Sequence, residues 1–196
     1  IDLNYRSWIP ADGSFAGELD GNQHEIKKLY CKSNETAALF RVNAGTIKNL
    51  TVSGKVIGGD GTAAIAAQNV GTISGCTAAV SVTGGNYTAG ICAENHGTII
   101  DCVNNGKIQG AQYVGGISGE NKAEKGTAAE IRNCVNNGMI QAGGAMAGGI
   151  AGDNECYVEG FAKALVSNCA NSGHVVSTAA IVRSYTGGCV GRNNGR

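Results

Sequence analysis

The chain has 196 residues, with 15 Lys plus Arg balanced by 15 Asp plus Glu, so its formal net charge is zero and nothing favours nucleic acid or anionic lipid as a partner. Its 32 glycines against one proline, without a three-residue period, exclude a collagen triple helix and an ordinary disordered linker, and leave a fold with many tight corners. No apolar run approaches the ~18–20 residues of a membrane span, and the first residues lack a basic-then-apolar leader, so a signal peptide and anchor are expected outside this segment.

In chain order, residues 1–42 read as divergent first coils, with Phe15 to Val42 closing on Ala38-Leu39-Phe40. A regular repeat begins at Asn43. Asn43, Asn69, Asn95 and Asn121 are spaced 26 residues apart, and the first three open the phrases Asn43-Ala44-Gly45-Thr46-Ile47, Asn69-Val70-Gly71-Thr72-Ile73 and Asn95-His96-Gly97-Thr98-Ile99. The next two coils are longer, 33 and 39 residues, and end before Asn154 and Asn193. Their surplus falls mostly in 122–130 and 155–165, which read as loops at one corner, where solenoids tolerate insertion. Residues 43–192 are thus five coils of one domain spanning 1–196, and 193–196 open a further coil, as expected for a piece of a longer array.

Superposing the coils gives three apolar sets. Ile47, Ile73, Ile99, Ile131 and Val166 form the first, followed three residues on by Leu50, Cys76, Cys102, Cys134 and Cys169. Val56, Val82, Ile108, Ile140 and Val175 form the second; Leu39, Ile65, Ile91, Ile117, Ile150 and Cys189 form the third. Short β-branched segments broken by glycine favour strands, and no coil can bury its apolar face alone. The predicted fold is therefore all-β: a right-handed parallel β-helix, three-sided, with about 26 residues per coil stacked ~4.8 Å apart. Asn104 to Gly106, Asn136 to Gly138 and Asn171 to Gly173 are expected to supply positive-φ corners, and the Asn43 column to stack amide on amide.

Phe15-Ala16-Gly17-Glu18-Leu19-Asp20-Gly21-Asn22-Gln23-His24-Glu25-Ile26 resembles the opening that precedes repeats of the GLUG family. Gly115-Gly116-Ile117-Ser118-Gly119-Glu120-Asn121, Gly148-Gly149-Ile150-Ala151-Gly152-Asp153-Asn154 and Asn133-Cys134-Val135-Asn136-Asn137-Gly138 are similar to the repeats themselves. The first coil departs from the pattern at Ala38-Leu39-Phe40-Arg41. The resemblance implies a β-helix in a secreted or cell-surface bacterial protein, adhesin-like or the non-catalytic part of an immunoglobulin A peptidase. It carries over no catalytic residue, because the family shares no active site.

Three groups of residues invite a functional reading. The eight cysteines lack a C-x-x-C pair, which argues against zinc; substitution for leucine and isoleucine points to buried thiols, with vertical disulfides as the alternative. Tyr87, Tyr113 and Tyr185 align, with Met146 between, as a ligand-binding column for sugar rings or as a structural stack. Glu94, Glu120 and Asp153 occupy successive rungs flanked by Gln68 and Arg192; they are either solvated or hold a structural calcium. His24, His96 and His174 fall in different coils, and no cofactor besides that calcium is implied.

The expected function is a non-catalytic surface segment that acts in adhesion to a glycan or host protein, or as a stalk, and is monomeric in isolation. The alternative is a polysaccharide lyase or glycoside hydrolase-like β-helix with its catalytic groups on the inserted loops. Convergent carboxylates with a lysine or arginine in a groove would favour that enzyme.

Overall fold

A computed structural model describes residues 1–10, 12–124, 126–156, 162–178 and 184–195. Among these residues there is no helix; 28 short strands form four ladders of 10, 6, 5 and 7 strands, and every strand pair in them is parallel. This is the parallel β-helix the repeat predicts.

The register is that of the repeat. Ile47, Ile73, Ile99, Ile131 and Val166 are successive Cα partners, with Leu19 below them. Val56, Val82, Ile108, Ile140 and Val175 form the second run, above Cys31. The third set is joined by backbone bonds from Ile65 N to Ile91 O (3.2 Å), Ile91 N to Ile117 O (3.2 Å) and Ile117 N to Ile150 O (2.9 Å). Leu39 and all the isoleucines of these sets lie in one continuous core, each worth roughly 1.5–3 kcal/mol of burial. The third segment bends at Gly90-Ile91 into Thr88–Ala89 and Cys92–Asn95, so a full turn crosses four ladders.

The first coils follow the same plan. Glu18–Asp20 pairs with Thr46–Lys48, and Ser14–Phe15 pairs with Phe40–Asn43. Phe15 is the register partner of Asn43, and its ring packs on Phe40 at 5.1 Å between centroids. An aromatic cap thus stands where another asparagine would continue the column.

That column is a ladder of buried amides. Nδ2 of Asn43, Asn69, Asn95, Asn121 and Asn154 each donates to Oδ1 of the asparagine above at 2.7–2.8 Å. The same Nδ2 groups reach local carbonyls, as from Asn95 to Gly97 O at 3.1 Å. Asn104, Asn136 and Asn171 form a second ladder with bonds of 2.7 Å. Each interior amide, of Asn69, Asn95, Asn121, Asn154 and Asn136, has one such neighbour above and one below, so its donor and acceptor are both met without water.

One corner expectation is overturned. Asn104 to Gly106, Asn136 to Gly138 and Asn171 to Gly173 contain no positive φ; that conformation falls instead on Asn49, Gly75, Asp101, Asn133 and Asn168, and on Gly61, Tyr87, Tyr113 and Met146. Glycine recurs at Gly106, Gly138 and Gly173 for a different reason. A Cβ there would sit 1.9–2.0 Å from the carbonyl oxygen of the rung below.

None of the eight cysteines forms a disulfide, and Cys76, Cys102 and Cys134 are fully buried. Their sulfurs point at carbonyls of the rung below, at 3.7–3.9 Å, as small hydrophobes with a weak donor do. Cys189 keeps its place above Ile150 yet is exposed, because no described rung covers it.

Candidate functional site

The outer face of the ladder formed by Ala66–Asn69, Cys92–Asn95, Ser118–Ala123, Ala151–Cys156 and Val190–Asn194 carries the acidic column. Gln68, Glu94, Glu120, Asp153 and Arg192 are consecutive register partners, with side chains directed away from the asparagine ladder by strand alternation. Two residues further along, Lys122, Glu155 and Asn194 form a second column on the same face.

The structure concentrates three carboxylates. Oxygens of Glu120, Asp153 and Glu155 all lie within 4.8 Å of one another, and all three residues are buried. Glu94 lies one rung below Glu120, outside that trio but close enough to raise its pKa. Arg192 caps the group: its Nε donates to Asp153 Oδ1 at 3.0 Å and its Nη2 to Asp153 Oδ2 and to Glu155 Oε2, the latter at 3.1 Å. Those hydrogen bonds, led by that to Asp153, hold the guanidinium firmly charged.

Glu120 is different. It is only 6% exposed, and no hydrogen bond or ion pair reaches its carboxyl among the described residues. Burial, reinforced by Asp153, Glu94 and Glu155 against the opposing pull of Lys122, pushes its pKa up to about 7. Folded chains therefore keep a proton on Glu120 across pH 4.5–7 that unfolded chains have released. Stability should fall as pH rises through that window, by about 2–3 kcal/mol. Chemical denaturation in a chelating buffer should show this slope in the wild type. Glu120→Gln should remove it and be the more stable protein at pH 8; an unchanged slope would show that the group ionises freely.

The tyrosine column adjoins the acids. Tyr87 and Tyr113 stack with ring centroids 4.6 Å apart and planes 11° from parallel. Both residues are half-buried, with φ of 53° and 55°, a region that a bulky side chain enters only when its surroundings compel it. Gly61 holds the same position one rung below with φ 70°, and a Cβ there would lie 3.9 Å from Glu94 Oε1. Tyr113 also lies near Arg192. Two columns that the sequence presents separately therefore meet at one corner, while Tyr185 extends the tyrosine line on the last rung at 40% exposure.

Sequence reasoning placed Glu155 in an inserted loop. The structure has Lys122 and Ala123 paired with Glu155 and Cys156 in strand, so the ladder runs on into both insertions. The signal was available: Glu155 follows Asn154 as Lys122 follows Asn121. Residues 125 and 157–161 of these insertions lie outside the described residues.

Of the three histidines, His24 and His174 are exposed, and His96 is buried with its Nδ1 3.7 Å from Glu124 Oε1 and without a hydrogen bond. Cavities at the opposite end include one of about 280 Å³ lined by Trp8, Lys32, Glu35 and Arg41. That cavity belongs to the first coils, below the rungs that bear Glu120, Asp153 and Glu155.

No protein-family model matches the sequence, and no curated protein matches it. Among solved structures the chain is similar to that of a "putative immunoglobulin A1 protease" from Bacteroides ovatus, with a TM-score of 0.59 and 18% identity over 89% of this chain and 68% of that one. At that identity the likeness is one of fold. It agrees with the four parallel ladders.

Proposed function

We propose that this chain is a non-catalytic β-helical segment of a secreted or cell-surface bacterial protein, whose tyrosine-lined corner contacts a glycan. The right-handed sense expected of parallel crossovers belongs to the same reading. The observation that carries it is the half-exposed stack of Tyr87 on Tyr113, held in a backbone conformation costly for such residues. A flat ring beside carboxylates suits a pyranose, which offers an apolar face and a rim of hydroxyls. The GLUG-like phrases support a surface location, as does likeness to a bacterial protein named for action on immunoglobulin A, a target outside the cell.

Screening the purified chain against a broad glycan array tests this reading. Selective binding is expected, and a variant with Tyr87, Tyr113 and Tyr185 changed to Ala should lose it at least tenfold while keeping its β-sheet circular dichroism. An array without selective binders would overturn the glycan role and leave a stalk or a protein-binding surface.

A second reading has one observation in its favour. Glu120, Asp153 and Glu155 converge within 4.8 Å beside Arg192, near the separation of about 5–5.5 Å used by retaining glycosidases. Against it, the Asp153 side chain has no exposed surface and is tied by both oxygens to Arg192. Turnover of polysaccharide or of immunoglobulin A1 by this chain, lost in Glu120→Gln, would replace the non-catalytic reading.

A further inference from the structure

We infer that Glu120, Asp153 and Glu155 form a binding site for one divalent cation of the calcium type. The inference is independent of any glycan role. It rests first on geometry: three buried carboxylates, each a hard oxygen donor, have oxygens within 4.8 Å of one another. Two calcium–oxygen bonds of about 2.3–2.6 Å span that separation, and three carboxylates bound through one or both oxygens supply three to six ligands.

The second observation is Glu120 itself. It is more than nine-tenths buried, it faces two other carboxylates, and it has neither hydrogen bond nor ion pair among the described residues. Buried ionised groups in proteins are paired or coordinate a metal. The charge balance agrees with this. Three carboxylates face the one guanidinium of Arg192, an excess of acidic oxygen donors that a divalent ion would offset.

Arg192 is the built-in competitor. It holds both oxygens of Asp153 and, at 3.1 Å, Oε2 of Glu155, so it occupies donors that the ion would otherwise find open. Cation entry therefore needs the guanidinium to loosen its hold on Asp153 or Glu155. Because Glu120 and Asp153 come from neighbouring rungs and Glu155 from the second column, a bound ion would rivet two coils across the point where both insertions leave the stack.

The test uses the whole chain, stripped with a chelator, at pH 7.5 and constant ionic strength. Thermal unfolding with calcium chloride should raise the midpoint on the order of 5 °C over sodium chloride, and titration calorimetry should give one site per chain. Glu120→Gln, which removes an unpaired charge and should fold, should lose the shift and bind at least tenfold more weakly. Arg192→Gln should bind calcium several-fold more tightly than the wild type. A wild type that shows neither calcium heat nor a calcium-specific shift overturns the proposal, as would a shift that survives in Glu120→Gln. Glycan binding measured in chelator is unaffected by either outcome, so the two proposals fail separately.

Discussion

Asn95→Ala should destabilise the chain by about 3–5 kcal/mol, among the largest effects available to a single side chain. Asn95 is fully buried in the middle of the ladder, accepting from Asn69 Nδ2 at 2.8 Å and donating to Asn121 Oδ1 at 2.7 Å. It also donates to Gly97 O and accepts from Gly97 N. Alanine would leave a donor below, an acceptor above and two backbone groups of its own coil unmet. Buried orphans cost roughly 1–3 kcal/mol each, less whatever an entering water recovers. The comparison is Asn137→Ala, which removes an equally short side-chain bond, to Asn105 Oδ1 at 2.9 Å, but on an exposed face. Water replaces that partner, so less than about 0.5 kcal/mol should be lost. Urea denaturation followed by circular dichroism distinguishes the two. In a stack held by nearest-neighbour interfaces, the Asn95 variant should also unfold over a broader range, as coils on either side of the break uncouple. Equal midpoints for the two variants would mean that the ladder adds nothing beyond ordinary surface hydrogen bonds.

Gly138→Ala should cost about 3 kcal/mol or more, without involving any unusual φ. An added Cβ would meet Gly106 O at 1.9 Å and Asn104 Nδ2 at 2.8 Å, atoms held by the backbone and by the second amide ladder. Neither can retreat without breaking inter-rung bonds, so the rungs themselves must separate. Gly143→Ala is the control: its nearest neighbour to such a Cβ is 3.7 Å away and its φ is not positive. Alanine there should be neutral or stabilising by up to about 1 kcal/mol, through the unfolded chain. Thermal melts of both variants would show it; a harmless Gly138→Ala would mean that the stack is loose enough to absorb a methyl group between coils.

The acidic corner illustrates how far a repeat can be read. Glu94, Glu120 and Asp153 align at the level of sequence because the Asn columns fix the register, and register alone gives their succession. Which of them converge is a matter of side-chain direction and cover. Glu155, apparently part of an insertion, joins Glu120 and Asp153, while Glu94 stays one rung below. Arg192 could be seen as a flanking residue; its grip on Asp153 and Glu155 depends on which rotamers the corner permits. The tyrosines follow the same pattern. Their alignment is legible, but their left-handed backbone belongs to the corner that immediately precedes Thr88–Ala89 and Val114–Gly115, which periodicity does not register.

The repeat by itself determined the parallel stack, the three apolar sets and the amide ladder, since each follows from identical residues recurring at identical positions where every coil must bury the same face. The tertiary structure decided what depends on neighbours rather than on period. It split the third segment into two ladders, and it moved the positive φ values away from the Asn-Asn-Gly corners, where glycine serves close approach instead. It also left Glu120 buried, without a hydrogen bond or ion pair among the described residues, beside two carboxylates bound by Arg192. A one-dimensional pattern specifies which residues share a column; only the folded chain sets the distances between columns, and those distances govern charge, burial and ligand geometry.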